Sequence, residues 1–283
     1  MSRLLACITA FVLSAGFSLS ATACDRACLT GHLTEYMYAM FAHDASTLKV
    51  APDVKFTENS VKAKLGEGLW KTATRFHGYR QDFIDERAGV AGSHVIIEES
   101  GAPALLVLRL KVVNELITEI ETITTRSRTE GVIFNLDGLK APSRGMQFVP
   151  KPEQLQSREE AVRIASLYPA GLKAGSFVTV DVPYTPQAYR IENGNNMAGP
   201  GCTFAPGCEN IKTQNIAPGR TTLTQRLIAV DERMGIVWYR LSWERGTNQR
   251  LVVWEAFKVY DGKLHAVEAF MKLDPADLGS GWE

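Results

Sequence analysis

The chain lacks a surplus of charge of either sign: its 283 residues carry 31 Lys and Arg against 31 Asp and Glu. That balance gives no long-range pull toward nucleic acid or an acidic membrane surface, and neither is expected as a partner. No Ser-centred nucleophile elbow, phosphate loop, dinucleotide fingerprint or zinc motif occurs. These absences argue against the common hydrolases and against nucleotide use, so no cofactor and no metal is expected. Long apolar runs are also scarce. The one strong run sits in "MSRLLACITAFVLSAGFSLSATAC", where Arg3 precedes an apolar core and the small residues Ala21-Thr22-Ala23. That is the plan of a secretory signal, too short and too soon interrupted for a comfortable bilayer span. Residues 1–23 are read as a signal peptide and the mature protein as periplasmic or secreted. A lipid anchor on Cys24 is the alternative. No other stretch could span a membrane.

Cysteine is sparse, with five in all. Removal of the signal takes Cys7 and leaves Cys24, Cys28, Cys202 and Cys208. An exported protein can keep disulfides. Four cysteines allow three connectivities, and the two local pairs Cys24–Cys28 and Cys202–Cys208 are favoured. The rival is metal binding, but C-x3-C and C-x5-C match no common zinc site well.

What the chain does contain is an internal echo. "IDERAGV" at 84–90 returns as "VDERMGI" at 230–236. Downstream, Lys111 matches Lys258 and Glu121 matches Glu268; upstream, Glu58-Asn59 matches Glu192-Asn193. Each copy reads as a helix, a short strand ending in Glu-Asn, a polar interval and three further strands. Leu29, Leu33, Tyr36, Met37, Met40 and Phe41 recur at helical spacing in the first helix. The last two strands form a hairpin, turned in the second copy at Asp261-Gly262. The expected domains are 24–130 and 157–283, with the Gly- and Pro-rich stretch 131–156 as linker.

The order of elements, with "CDRACL", "FTEN", "GEGLW", "RLKV…ITEIE" and "LGSGW", resembles the nuclear transport factor 2-like superfamily, and within it secreted SnoaL-like proteins with two tandem domains. The resemblance implies an α+β fold: two tandem cone-shaped, cystatin-like domains of curved sheet, packed sheet to sheet as a pseudo-dimer. Further oligomerisation stays open. It also implies a deep apolar pocket and cofactor-free proton transfer, as in a lyase, isomerase or dehydratase, on an aromatic or polycyclic molecule such as a lignin-derived diaryl compound. Two other readings stand beside it: a binding protein for an apolar ligand, and a structural or partner-binding protein.

Residues in one copy only are the candidates for chemistry. His43-Asp44 ends the first helix, whereas the second copy has Gly175 at the Asp44 place. An Asp beside a His suits general acid/base work; the alternative is that Asp44 caps "ASTL". Glu58 is a further candidate, although its recurrence favours a structural role. Arg109, inside "ALLVLRLKV", either steadies an oxyanion or makes an ion pair that bridges the halves. Trp70, Phe76, Tyr79 and Tyr36 are candidates to stack on a ring, with core packing as the other explanation. Lys71 and His77 are weaker proton carriers. Counting back from Asp261-Gly262 sets Glu255 opposite Glu268, a possible acid pair that a register slip of one residue would break.

One outcome is fixed by the cysteines alone. Mass spectrometry of the non-reduced mature protein is expected to find both local bridges. Free thiols at Cys202 and Cys208 would contradict that pairing.

Overall fold

The computed structural model describes residues 24–216 and 220–282; the signal-peptide reading of 1–23 lies outside them. Helix α1 (Arg26–Phe41) begins on an Asp25 side chain that accepts from Cys28 N at 2.9 Å, the usual means of satisfying an orphan N–H at a helix start. Strands β1 (Val50–Glu58), β2 (Val61–Lys62), β3 (Ala73–Asp85), β4 (Val90–Glu99), β5 (Ala102–Val113) and β6 (Leu116–Thr125) follow. A connector with the short helices α2 (Arg128–Gly131) and α3 (Arg144–Gln147) leads to α4 (Arg158–Ala174). Ser157 caps α4, Glu159 and Glu160 fill its first turn, and Gly175 ends it in the left-handed region. Then come β7 (Tyr184–Glu192), β8 (Asn195–Ala198), β9 (Thr224–Asp231), β10 (Ile236–Arg245), β11 (Gln249–Tyr260) and β12 (Lys263–Pro275).

The two halves have the same topology. Their sheets run β2-β1-β6-β5-β4-β3 and β8-β7-β12-β11-β10-β9, six strands each, with one parallel pair in each, β1–β6 and β7–β12. This built-in pairing supports the pseudo-dimer arrangement. The expected cones do not form: both sheets are open and comparatively flat, neither closed nor strongly curled. The physical reason is what covers them. β4, β5, β10 and β11 are buried along most of their length on both faces. A sheet held between its own helix and a second sheet keeps its faces open to both.

The face shared by the sheets is aromatic. Trp238 lies 4.8 Å from Phe83 and 4.9 Å from Trp254, centroid to centroid. Its ring occupies the space a Cβ on Gly92 would need, 2.1 Å away, so only glycine fits there. Buried His94 stacks on Phe270 at 4.6 Å and accepts from the Trp238 indole N–H at 3.2 Å. Burial pushes the His94 pKa down to about 3, so it stays a neutral acceptor.

The sequence echo is a reciprocal clasp at this interface. Asp231 Oδ2 accepts from the Ile84 amide at 3.1 Å, and Asp85 Oδ2 accepts from the Val230 amide at 2.8 Å. Arg26 at the start of α1 grips Asp231 with both nitrogens at 2.8 Å, and Arg158 at the start of α4 grips Asp85 at 2.9 and 2.5 Å. Each aspartate also closes its own turn, accepting from Ala88 N or Met234 N. The glycine of each echo has positive φ, 59° at Gly89 and 60° at Gly235. Lys111 and Lys258 then bind the carbonyls of Ala88 and Met234.

The hairpin turn pairs Tyr260 with Lys263, but a bulge between Lys258 and Val259 moves every pair beyond it by one. Glu255 therefore faces Ala269, and Ala256 faces Glu268. The expected Glu255–Glu268 acid pair is corrected: the two carboxyls lie on opposite faces of the sheet.

Both clasp aspartates are buried, and removing one partner of a buried pair leaves the other charge unanswered. Asp231→Ala is expected to lower unfolding free energy by about 3–5 kcal/mol in urea denaturation. A loss below about 1 kcal/mol would show that the clasp contributes little.

Candidate functional site

The structure scatters the sequence candidates of the first half. Asp44 is fully exposed, and its side chain accepts from Ser46 N at 2.8 Å, which holds its carboxyl below the usual range. His43 is exposed, has positive φ, and donates from Nδ1 to the Trp70 carbonyl. Asp44 and His43 are turn residues, and neither lines the second-half cavity. Glu58 is half-buried and receives the Leu69 amide at 3.0 and 3.2 Å; burial raises its pKa. Asn59, next to Glu58, and its counterpart Asn193 in the second half both turn at positive φ, and Asn193 ties Gly131, Ile133 and Met271 together.

Arg109 belongs to the inter-sheet face. It pairs with Glu119 at 2.7 Å and lies 4.0 Å from Glu121, which in turn binds Arg226 of the other half. This is the bridging role rather than an oxyanion site. Tyr79 lies on the same face and donates to Glu268 at 3.3 Å. Trp70 and Tyr36 fill the first core, with the Trp70 indole N–H donating to the Tyr36 hydroxyl at 3.0 Å. Phe76 packs edge-on against Phe41 and Tyr38 near the surface. Lys71 and His77 are exposed. Among the described residues, none of these candidates lines the second-half cavity.

One cavity lies in the second half. It holds about 530 Å³ between α4 and the β7, β11 and β12 sheet, within the usual range for a small-molecule site. Leu172, Met197, Leu251, Val253 and Met271 give apolar walls, and Trp243 and Phe204 add aromatic ones. Glu255, Arg190 and Tyr168 form a polar floor. Arg190 lies 3.2 Å from Glu192, donates to the Tyr168 hydroxyl at 3.2 Å and to Gln214 Oε1 at 3.0 Å.

Glu255 is 1% exposed, and its Oε2 has no hydrogen-bond partner among the described residues. Burial pushes its pKa up to about 8, and the Glu192 charge adds to the rise. Arg190 and a hydrogen bond with Tyr168 pull the other way. The side chain is thus a neutral carboxylic acid near pH 7, with an oxygen left over for a ligand.

The repeat shows why one half is hollow and the other filled. At the Glu255 and Arg190 places, 147 and 134 residues earlier, the first half has Leu108 and Phe56, both buried. Tyr36 stands where the second half has Tyr168, but its hydroxyl meets the Trp70 indole instead of an arginine. Trp70 comes from a short 3-10 turn, Gly68–Lys71. In the second half a long insertion between β8 and β9 replaces that turn. It carries the Cys202–Cys208 bridge (S–S 2.07 Å) and supplies Phe204, Gln214 and Arg220 to the cavity. Sequence reasoning sought function in the first half; the Leu108-to-Glu255 and Phe56-to-Arg190 differences were the signal for the second.

Both expected disulfides form, Cys24–Cys28 (S–S 1.98 Å) and Cys202–Cys208. Among the described residues, no helix is long and apolar enough to cross a membrane.

The charge state of Glu255 has a measurable consequence. Its pKa is raised in the folded state, so its contribution to stability is complete below about pH 4.5 and is lost as pH rises through about 8. The slope approaches about 1.4 kcal/mol per pH unit. Glu255→Gln should therefore stabilise the protein more at pH 9 than at pH 5 in parallel urea titrations. Identical pH profiles for the two proteins would contradict the assignment.

Comparison with known proteins places residues 154–271, less than half of the chain, in similarity to a domain family of unknown function (DUF8021). That match contains Tyr168, Arg190, Glu192, Arg220 and Glu255. No curated protein matches the chain. With open sheets in place of cones, these findings overturn the resemblance to nuclear transport factor 2-like and SnoaL-like proteins.

Proposed function

We propose that the protein is an enzyme of acid–base proton transfer acting on a ring-bearing, largely apolar small molecule held in the second-half cavity. The observation that carries this reading is the buried Glu255 with an unanswered oxygen on the cavity floor, where burial pushes its pKa up to about 8. A neutral carboxyl with a pKa near the working pH both gives and takes a proton readily. Arg190 lies beside it, where a guanidinium would stabilise negative charge developing on a substrate oxygen. Tyr168 sits by both: its hydroxyl accepts from Arg190, and its proximity to Glu255 pulls the carboxyl's pKa down. The chemistry this set supports is abstraction of a proton next to an electron-withdrawing oxygen and its return elsewhere, or loss of a leaving group after abstraction. The compartment proposed for it is the periplasm or the extracellular space, on the strength of the N-terminal sequence and two disulfides.

The test is a turnover screen of the mature protein against ring-bearing carbonyl compounds, alcohols and acids, read by mass spectrometry and by solvent deuterium incorporation. Glu255→Gln is expected to reduce turnover of any substrate found by about 10²–10⁴-fold without lowering the melting temperature. Turnover that survives this substitution would refute the role of Glu255.

A further inference from the structure

The floor of the second-half cavity holds a carboxyl oxygen that the protein leaves unanswered. Glu255 is buried, and its Oε2 has no hydrogen-bond partner among the described residues. The groups around it are engaged. Arg190 lies 3.2 Å from Glu192 and donates to the Tyr168 hydroxyl and to Gln214 Oε1, while Gln214 Nε2 donates to the Ile211 carbonyl at 3.3 Å. A buried polar atom without a partner is costly, and a ligand that supplies the partner removes that cost. Arg190 and Glu192 set opposite charges side by side on the same floor, so a fully charged ligand of either sign meets a like charge there. An uncharged polar group avoids both. A hydroxyl suits the position because it donates and accepts. It can pair with Glu255 Oε2 whether the carboxyl is ionised or protonated.

The cavity is polar at its buried end and apolar toward its mouth. Leu172, Leu251, Val253 and Met271 are buried walls, whereas Phe204 is 54% exposed. Phe204 sits inside the Cys202–Cys208 loop, where a covalent bridge limits how far the ring can swing away. We propose, building on the preceding reading, that this cavity takes an uncharged, ring-bearing alcohol that enters hydroxyl first. The hydroxyl pairs with Glu255 Oε2, the ring lies among the apolar walls, and the far end of the molecule emerges against Phe204. The filled first half offers the contrast: Leu108 and Phe56 stand in place of Glu255 and Arg190, so a buried hydroxyl has no partner there.

The experiment uses mature, disulfide-bonded protein and two probes of nearly the same shape, 2-naphthalenemethanol and 2-ethylnaphthalene, measured by equilibrium dialysis at pH 7. The quantity read is the affinity for the alcohol divided by that for the hydrocarbon. In the native protein this ratio is expected to be at least about tenfold higher than in Glu255→Leu, a difference of about 1.4 kcal/mol. Glu255→Met serves the same comparison with a side chain closer in length, and circular dichroism checks the fold of both. Glu255→Gln should keep most of the preference, because its amide also donates and accepts, even though its turnover is expected to fall. Phe204→Ala should weaken both probes alike and leave the ratio unchanged. A ratio that does not change in folded Glu255→Leu or Glu255→Met would overturn the inference while leaving the proton-transfer reading intact. Turnover that survives Glu255→Gln would do the reverse. Absence of saturable alcohol binding by the native protein would overturn the inference as well.

Discussion

The structure depends on two buried aspartates that each serve the opposite half. Asp85 and Asp231 accept an amide proton from the facing strand, neutralise an arginine at the start of the facing half's helix, and close their own turns. Three demands on one carboxylate leave little freedom to substitute or shift it. The clasp sets the two sheets face to face, with Trp238, Phe83, His94 and Phe270 between them. It also fixes where each helix starts, and so which outer face each helix covers. The second-half cavity lies under one of those helices, on the side of the sheet away from the clasp.

Several features were legible in the sequence because local chemistry decides them. The first helix follows from the spacing of its apolar residues, the last hairpin from Asp261-Gly262, and the disulfides from local pairing in an exported chain. Duplication was legible because the Asp-Glu-Arg-x-Gly turn needs glycine at positive φ in both places. What that turn grips was not, since the backbone amide that each aspartate binds lies 145 or more residues away.

Curvature and register were the harder matters. A strand pattern records which faces are covered, and it does not say whether a sheet bends around a hollow or lies against another sheet. The bulge at Lys258 and Val259 leaves no composition mark, yet it turns Glu268 to the interface, where Tyr79 and Tyr189 hold it, and Glu255 to the cavity. Asp44 drew attention as an acid unique to one copy, but an acid at a helix end is more simply satisfied by the next turn. The informative differences were apolar residues in one copy replaced by charged ones in the other, Leu108 by Glu255 and Phe56 by Arg190. Burying a carboxyl without a full set of partners is costly, which sets Glu255 apart from Leu108 at the same place in the first half.

The account therefore rests on a carboxylic acid that keeps its proton in neutral solution. Carbon-13 NMR of the protein labelled at glutamate side-chain carboxyls, with Glu255 assigned by its Gln substitution, reads that state directly. The account predicts a Glu255 signal that remains in the neutral position at pH 7 and shifts with a midpoint near 8. A Glu255 carboxyl already ionised at pH 6 would contradict it.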